Sequence, residues 1–263
     1  MNIFFGLETD IINSNLKIPK FKNNFTFGHE IELLKAEINN NKKWKISKSV
    51  NNFDNDFYFV ESKNLSDNEI YFLSLKSELD FNFNHEIEID CIKDFSNYTN
   101  TKPAYRCSLN IENNNGGFSS YQSEYPFKMT NGNGSVLSPI TNLLNKNSDK
   151  KIIFFRNIYH LPLNLEFDAY IIDYKEKKIL DKKTFLTNKT NFFKIENDYL
   201  SDGVFLFVDG FLGIPIYYME KKNHISFEHT HPLTEYILDK NRYKIISDLK
   251  NEFKNIIKKN YTV

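Results

Sequence analysis

The sequence lacks several features by which whole classes of protein are recognised. Two of its 263 residues are cysteines, Cys91 and Cys107, and neither belongs to a Cys-x-x-Cys pair, so we predict buried thiols and no disulfide framework. The first residues lack the basic start and long apolar run of a signal peptide. No later stretch approaches the roughly 18 uncharged residues of a membrane span. We therefore expect a soluble, cytoplasmic protein.

An excess of charge of one sign is missing as well. Lys and Arg together number 34, and so do Asp and Glu. A balanced chain has no net field that attracts polyanions, so we expect neither nucleic acid nor a membrane as a partner. The chain also has no phosphate-binding glycine loop of the Gly-Lys-Ser/Thr type and no Gly-x-Ser-x-Gly nucleophile motif.

Apolar side chains are abundant and fall mostly in short alternating runs. Hydrophobic residues make up 40% of the chain and aromatic residues 16%, which is enough to bury a core. Period-two alternation over the first 235 residues, interrupted by Asn, Gly, Asp and Lys clusters, predicts a mainly β protein. Because the strands are short and closely spaced, we predict two β-sandwich-like halves of antiparallel strands.

Two further patterns divide the chain. The polar stretch 141–150 is followed by an apolar run, which predicts an N-terminal β domain over 1–146 and a C-terminal β-sandwich domain over 147–263. From 241 to 259 the apolar residues share one stripe of a 3.6-residue period, which predicts an amphipathic helix packed against the β core. The stripe consists of Ile245, Ile246, Leu249, Phe253, Ile256 and Ile257.

The segment 224–235 holds three of the six histidines and two carboxylates. In an extended chain His229 and His231 point the same way, about 6.6 Å apart along the backbone, so two imidazoles can share one ion. Glu235 is the natural third ligand, and Zn, Fe and Mn are the divalent metals that suit such a set. His224 and His160 are candidates for further ligands.

The spacing His-x-His-x-x-x-Glu of His229, His231 and Glu235 resembles the first metal-binding motif of the cupins, small β-barrels that include iron and manganese dioxygenases. The resemblance covers seven residues. The glycine that follows the Glu in the cupin pattern is absent here, and so is the later glycine-rich motif with a further His. The resemblance therefore implies metal ligation and does not assign the chain to the family.

Two other interpretations of the same segment stay open. Pro232 ends a strand ladder, and the imidazoles beside it would then bond to neighbouring loops. Alternatively, His229 or His231 is a general base that Glu228 or Glu235 orients, since a carboxylate on one ring nitrogen raises the basicity of the other. Glu228 and Glu235 are thus the predicted catalytic carboxylates.

A second candidate site is the loop 113–126, which holds no basic residue and follows a strand that carries Arg106. It combines aromatic rings with amide and carboxylate groups, the chemistry that binds sugars and other polar small ligands. The alternative is an ordered loop whose tyrosines pack on the sheet. The predicted ligand-binding residues are Arg106, Ser120, Tyr121, Gln122, Glu124 and Tyr125.

These features support three functions from different classes, and the sequence does not decide whether the protein is an enzyme. The first is a metal-dependent enzyme that acts on a small polar or sugar-like substrate. The second is a non-catalytic module that binds a glycan or small ligand. The third is a structural or protein-interaction protein that uses a sheet edge or its aromatic surplus. The sequence does not fix the oligomeric state.

Overall fold

The structure is a computed structural model, and it is mainly β with one α-helix near the C-terminus. It describes residues 2–7, 9–20, 31–49, 52–53, 56–61, 65–75, 86–95, 107–113, 116–141, 143–229 and 232–261.

The chain separates into two compact units. Unit 1 comprises Met1–Asn131, Ile158–Asn164 and Asn188–Thr190. Unit 2 comprises Gly132–Asn157, Leu165–Thr187 and Asn191–Val263. The domain limits expected from the sequence, 1–146 and 147–263, stay a prediction.

The strands described in unit 1 form three antiparallel sheets, with strand orders β1-β11, β10-β9-β2-β6-β5 and β7-β3-β4-β8. Alternation decides which side chains are buried, as in β2, where Ser14, Leu16 and Ile18 are buried between more exposed neighbours. The strands are β1 (Asn2–Ile3), β2 (Asn13–Pro19), β3 (Ile31–Ile38), β4 (Trp44–Lys48), β5 (Asn52–Phe53), β6 (Phe57–Val60), β7 (Glu69–Leu75), β8 (Ile87–Ile89), β9 (Ser108–Glu112), β10 (Phe118–Gln122) and β11 (Tyr125–Pro126).

The remaining strands form two four-stranded antiparallel sheets, with orders β12-β17-β14-β15 and β16-β13-β18-β19. One buried apolar cluster takes side chains from both sheets, among them Phe155, Phe167, Leu206 and Tyr217. The strands are β12 (Ser135–Pro139), β13 (Lys150–Arg156), β14 (Glu166–Asp173), β15 (Lys178–Leu186), β16 (Thr190–Lys194), β17 (Val204–Asp209), β18 (Ile214–Lys221) and β19 (His224–His229).

The prediction of two β-sandwich-like halves is wrong. The described strands form four small antiparallel sheets of four or five strands, the size of the blades of a β-propeller, together with the two-stranded pair β1-β11. Alternation identifies a strand from neighbouring residues, whereas sheet membership depends on pairings between distant residues. In the sheet of β2, for example, that strand lies between β6 and β9.

The predicted C-terminal helix is confirmed as α1 (Arg242–Tyr261). Its inner face packs on the β12-β17-β14-β15 sheet, where Phe253 and Ile256 join a second buried apolar cluster with Leu137, Tyr170 and Phe207. The amphipathic stripe therefore explains how the helix is held. In the part of the chain that the structure describes, no helix is long and apolar enough to cross a membrane.

Candidate interaction surface

The predicted histidine cluster is only partly described. His229 is half-buried at the end of β19, an edge strand of its sheet, and His231 lies outside the described residues. Glu228 is exposed and precedes His229 in the strand, so the two side chains point to opposite faces. Glu235 is exposed at the end of the short 3-10 helix Leu233–Glu235. The catalytic roles of Glu228 and Glu235 stay predictions.

The metal-binding interpretation finds no support in the described part of the chain. There, no group of three or more His, Cys, Asp or Glu side chains is placed to hold a metal ion. Of the two further ligand candidates, His224 is exposed at the start of β19, and the Nδ1 atom of His160 lies 2.8 Å from the carbonyl oxygen of Thr130. Because the predicted ligand set of His229, His231 and Glu235 includes a residue outside the described part of the chain, a bound divalent metal stays a prediction.

The predicted ligand-binding loop lies along β10 and β11 of unit 1. Tyr121 and Tyr125 are buried, whereas Ser120 and Gln122 are exposed and Glu124 is half-buried. Burial and the charge of Glu124 raise the pKa of Tyr121. A buried ring has no open face for a sugar to stack on, so the two tyrosines contribute to the core. Arg106 lies outside the described residues, and ligand binding by the exposed polar groups stays a prediction.

A polar cluster across β3 and β7 was not predicted from the sequence. The Lys35 ammonium lies 2.6 Å from Glu37 and 3.0 Å from Glu69, and the hydroxyl of the buried Tyr71 donates to Glu69 over 2.8 Å. Burial disfavours the charged forms, but these contacts outweigh it, raising the pKa of Lys35 and lowering that of Glu37. Both groups therefore stay charged near neutral pH, as in a structural ion-pair network. In the sequence, the spacing of Lys35 and Glu37 indicated the pair, since residues two apart in a strand lie on the same face.

The strongest surface feature lies where the chain enters α1. Seven large hydrophobic side chains are exposed in the described residues, and four of them fall between 236 and 245, with exposed fractions from 43% to 101%. Single exposed apolar residues are ordinary, whereas a concentration of them is typical of interaction surfaces. The four are Tyr236, Leu238, Tyr243 and Ile245, and we call them the 236–245 surface.

The backbone beneath this surface is held in place. Leu233, just before it, packs on the apolar cluster under α1. At the start of the helix, the Asp239 carboxylate accepts a hydrogen bond from the N–H of Asn241 over 2.6 Å, and its carbonyl accepts one from Arg242 over 3.1 Å. The exposed side chains therefore project from an ordered turn and the first helical turn.

Basic side chains accompany the apolar ones. Lys240, Arg242 and Lys244 lie between 236 and 245, with Asp239 as the one acidic residue of that stretch. The Arg242 guanidinium lies 5.0 Å from the centre of the Tyr243 ring, and Lys244 pairs with Asp248 over 3.2 Å. The surface therefore combines aromatic and aliphatic groups with a net positive charge.

The sequence held a signal for this surface. On a 3.6-residue period Tyr243 lies about 160° from Ile245 and about 40° beyond Ile257, outside the apolar stripe, and Tyr236 and Leu238 precede the helix. Ile245 was assigned to the buried stripe but is 43% exposed, whereas its neighbour Ile246 is buried as predicted. Three of the four surface residues, Tyr236, Leu238 and Tyr243, could therefore be recognised as lying outside the stripe, and Ile245 could not.

Known proteins add no assignment to this surface: no protein-family model, no curated protein and no solved structure matches the chain.

Proposed function

We propose that this chain is a non-catalytic protein-interaction protein whose 236–245 surface binds a partner protein. The observation that carries the proposal is that, of the seven large hydrophobic side chains exposed in the described residues, four lie in ten consecutive positions. Of the three functions considered, the enzyme depends on a histidine set that includes His231, and the glycan module depends on tyrosines that are buried. The interaction function depends on side chains that the structure places at the surface.

The chemistry of the surface describes its partner. Together with Trp, Tyr and Arg are the residues that most often dominate the energetics of protein interfaces, and Tyr243 lies beside Arg242 here. Burying one large apolar side chain contributes about 1.5–3 kcal/mol. Because the accompanying charges are mainly basic, we expect an apolar groove with an acidic rim on the partner.

The test compares partners of the wild-type protein with those of a Leu238→Ser/Tyr243→Ser variant. Both are expressed at equal levels in the source cells, purified by affinity, and compared by isotope-labelled mass spectrometry. We expect at least one protein to be recovered about tenfold less with the variant. That protein, once purified, should bind the wild-type chain directly, and more weakly at high salt because the charges are screened.

Ile87→Ser is the matched control, since Ile87 is an exposed apolar residue of unit 1. It should leave the recovered proteins unchanged, and urea unfolding should show all variants folded. The same set of proteins recovered with the wild type and with the double variant would contradict the proposed function.

A further inference from the structure

Sheet edges differ in whether the chain protects them against pairing with another strand. An edge strand exposes a row of backbone N–H and C=O groups, and proteins protect it with charged residues, proline or cover. Each described edge strand of three or more residues has such protection, except β10. The devices are Glu69 and the backbone bridge to Phe4 in β7, Glu88 in β8, Pro139 in β12, Lys178, Asp181, Lys182 and Lys183 in β15, Lys194 in β16, and Glu228 in β19.

The edge strand β10 is different. Its sequence is Phe-Ser-Ser-Tyr-Gln, with neither a charge nor a proline. In the described residues it pairs with β9 on one side and is the last strand of its sheet. Phe118 and Ser120 are both exposed, Phe118 by 60%, and they share the face opposite the buried Tyr121. Among the residues that the structure describes, this edge therefore lacks the protection that the other edges have.

Two hydrogen bonds show which backbone groups of β10 point outward. The N–H of Asn113 donates to the carbonyl of Gly117 over 3.1 Å, and the N–H of Ser123 donates to the carbonyl of Cys107 over 3.0 Å. Hydrogen-bonded pairs alternate along an antiparallel ladder, so the odd-numbered residues of β10 bond to β9. The backbone groups of Phe118 and Ser120 consequently point away from β9, toward the open edge.

We propose that β10 binds the β10 strand of a second copy of this chain, antiparallel and centred on Ser120. In that register the two Ser120 residues exchange both backbone hydrogen bonds, and Phe118 of one copy lies opposite Gln122 of the other. Because β10 carries no charged side chain, this pairing places no like charges opposite each other. The same pairing at the centre of β15 sets Lys182 against itself, which is unfavourable.

The size of the strand sets the strength of this association. Five residues per copy bury much less than the roughly 1,200 Å² of a stable interface, so the dimer is weak and depends on concentration. β10 belongs to unit 1 and the 236–245 surface to unit 2, so either proposal can fail while the other stands.

Sedimentation velocity over a wide concentration range tests the pairing directly. We expect the weight-average mass of the wild-type chain to rise with concentration. Ser120→Pro removes an outward N–H from each copy and leaves the bonds to β9 intact, so it should weaken self-association about tenfold or more. A wild-type chain that stays monomeric at every concentration overturns the proposal.

Charged substitutions at the same position provide a second test if Ser120→Pro fails to fold. Ser120→Lys and Ser120→Glu should each self-associate severalfold more weakly than the wild type, since like charges then lie opposite each other, and an equal mixture should recover association. Thr184→Lys, on the exposed face of the edge strand β15, is the matched control and should behave as the wild type. Undiminished self-association of Ser120→Lys, or a mixture no better than its components, overturns the proposal.

Discussion

The two ends of the C-terminal segment use the same residue types for opposite purposes. Around Phe253 the side chains are buried, with the ring stacked on Tyr174 at 5.3 Å and on Phe207 at 5.5 Å between centroids. Between 236 and 245 they are exposed, although Tyr243 and Ile245 belong to the same helix. The difference shows that the buried part of the apolar stripe holds the helix, whereas Tyr243 and Ile245 at its start expose their side chains.

The largest effect should come from Phe253→Ala. This substitution removes a fully buried ring, so we expect the free energy of unfolding to fall by about 3–5 kcal/mol in urea titrations. Tyr243→Ala, an aromatic residue of the same helix at the exposed end, should change it by less than about 0.5 kcal/mol. Equal losses in the two variants would remove the distinction between the two ends.

Two isoleucines of α1 allow the buried and exposed ends of the helix to be compared with the same residue type. Ile256 is buried in the cluster under the helix and Ile245 is largely exposed. We expect Ile256→Ala to lower the free energy of unfolding by about 2–4 kcal/mol, and Ile245→Ala by less than about 1 kcal/mol, measured by urea unfolding. If Ile245→Ala lowered the free energy of unfolding by more than this limit, the Ile245 side chain would belong to the core.

A smaller effect is expected at the charged margin of the anchored end. Lys254 pairs with Asp209 over 2.9 Å, and both side chains are about two-fifths exposed. Lys254→Ala should lower the free energy of unfolding by no more than about 1 kcal/mol. Because salt screens exposed pairs, the difference from the wild type should disappear near 1 M NaCl. A difference that persists at that salt concentration would point to packing by the lysine stem instead of charge.

The smallest expected effect depends on pH. The Tyr174 hydroxyl donates to Glu252 of α1, and this hydrogen bond, together with burial and the Glu252 charge, raises the pKa of Tyr174. A raised folded-state pKa stabilises the fold below the ordinary tyrosine value of about 10, and this contribution is lost as pH rises from that value through the raised pKa. Since this hydrogen bond lies at the solvent-exposed side of the helix, Tyr174→Phe should lower the free energy of unfolding by only a few tenths of a kcal/mol at pH 8.

The difference in stability between the wild type and Tyr174→Phe should become smaller above pH 10 than it is at pH 8. Urea unfolding midpoints at the two pH values measure this difference. A gap that widens with rising pH would contradict the assigned direction.

Local patterns predicted much of the secondary structure. Alternation identified the mainly β character, and one apolar stripe identified a helix over 241–259 that the structure places at Arg242–Tyr261. Both depend on residues close in the sequence, whose spacing fixes the faces of a strand or helix. The arrangement of sheets was mispredicted because β2 pairs with β6 and β9, and alternation carries no information on such distant partners.

The candidate sites were harder to predict for a related reason. Tyr121 and Tyr125 have suitable chemistry for a ligand, but whether a tyrosine ring is exposed or buried depends on what packs over it. Conversely, Tyr236 and Leu238 lie before the helical stripe, which marks them as outside it, but periodicity alone does not tell whether such a residue is exposed. Residue type therefore identified chemistry, and only the fold showed which groups reach the surface.

Photo-crosslinking in the source cells tests the central claim most directly. A photoreactive phenylalanine derivative is placed at Leu238, or at Ile87 as the control, and crosslinked products are separated by mass. The account predicts a discrete product with a partner protein at position 238 that is absent at position 87. No product at 238, or the same products at both positions, would contradict the claim that the 236–245 surface binds a partner.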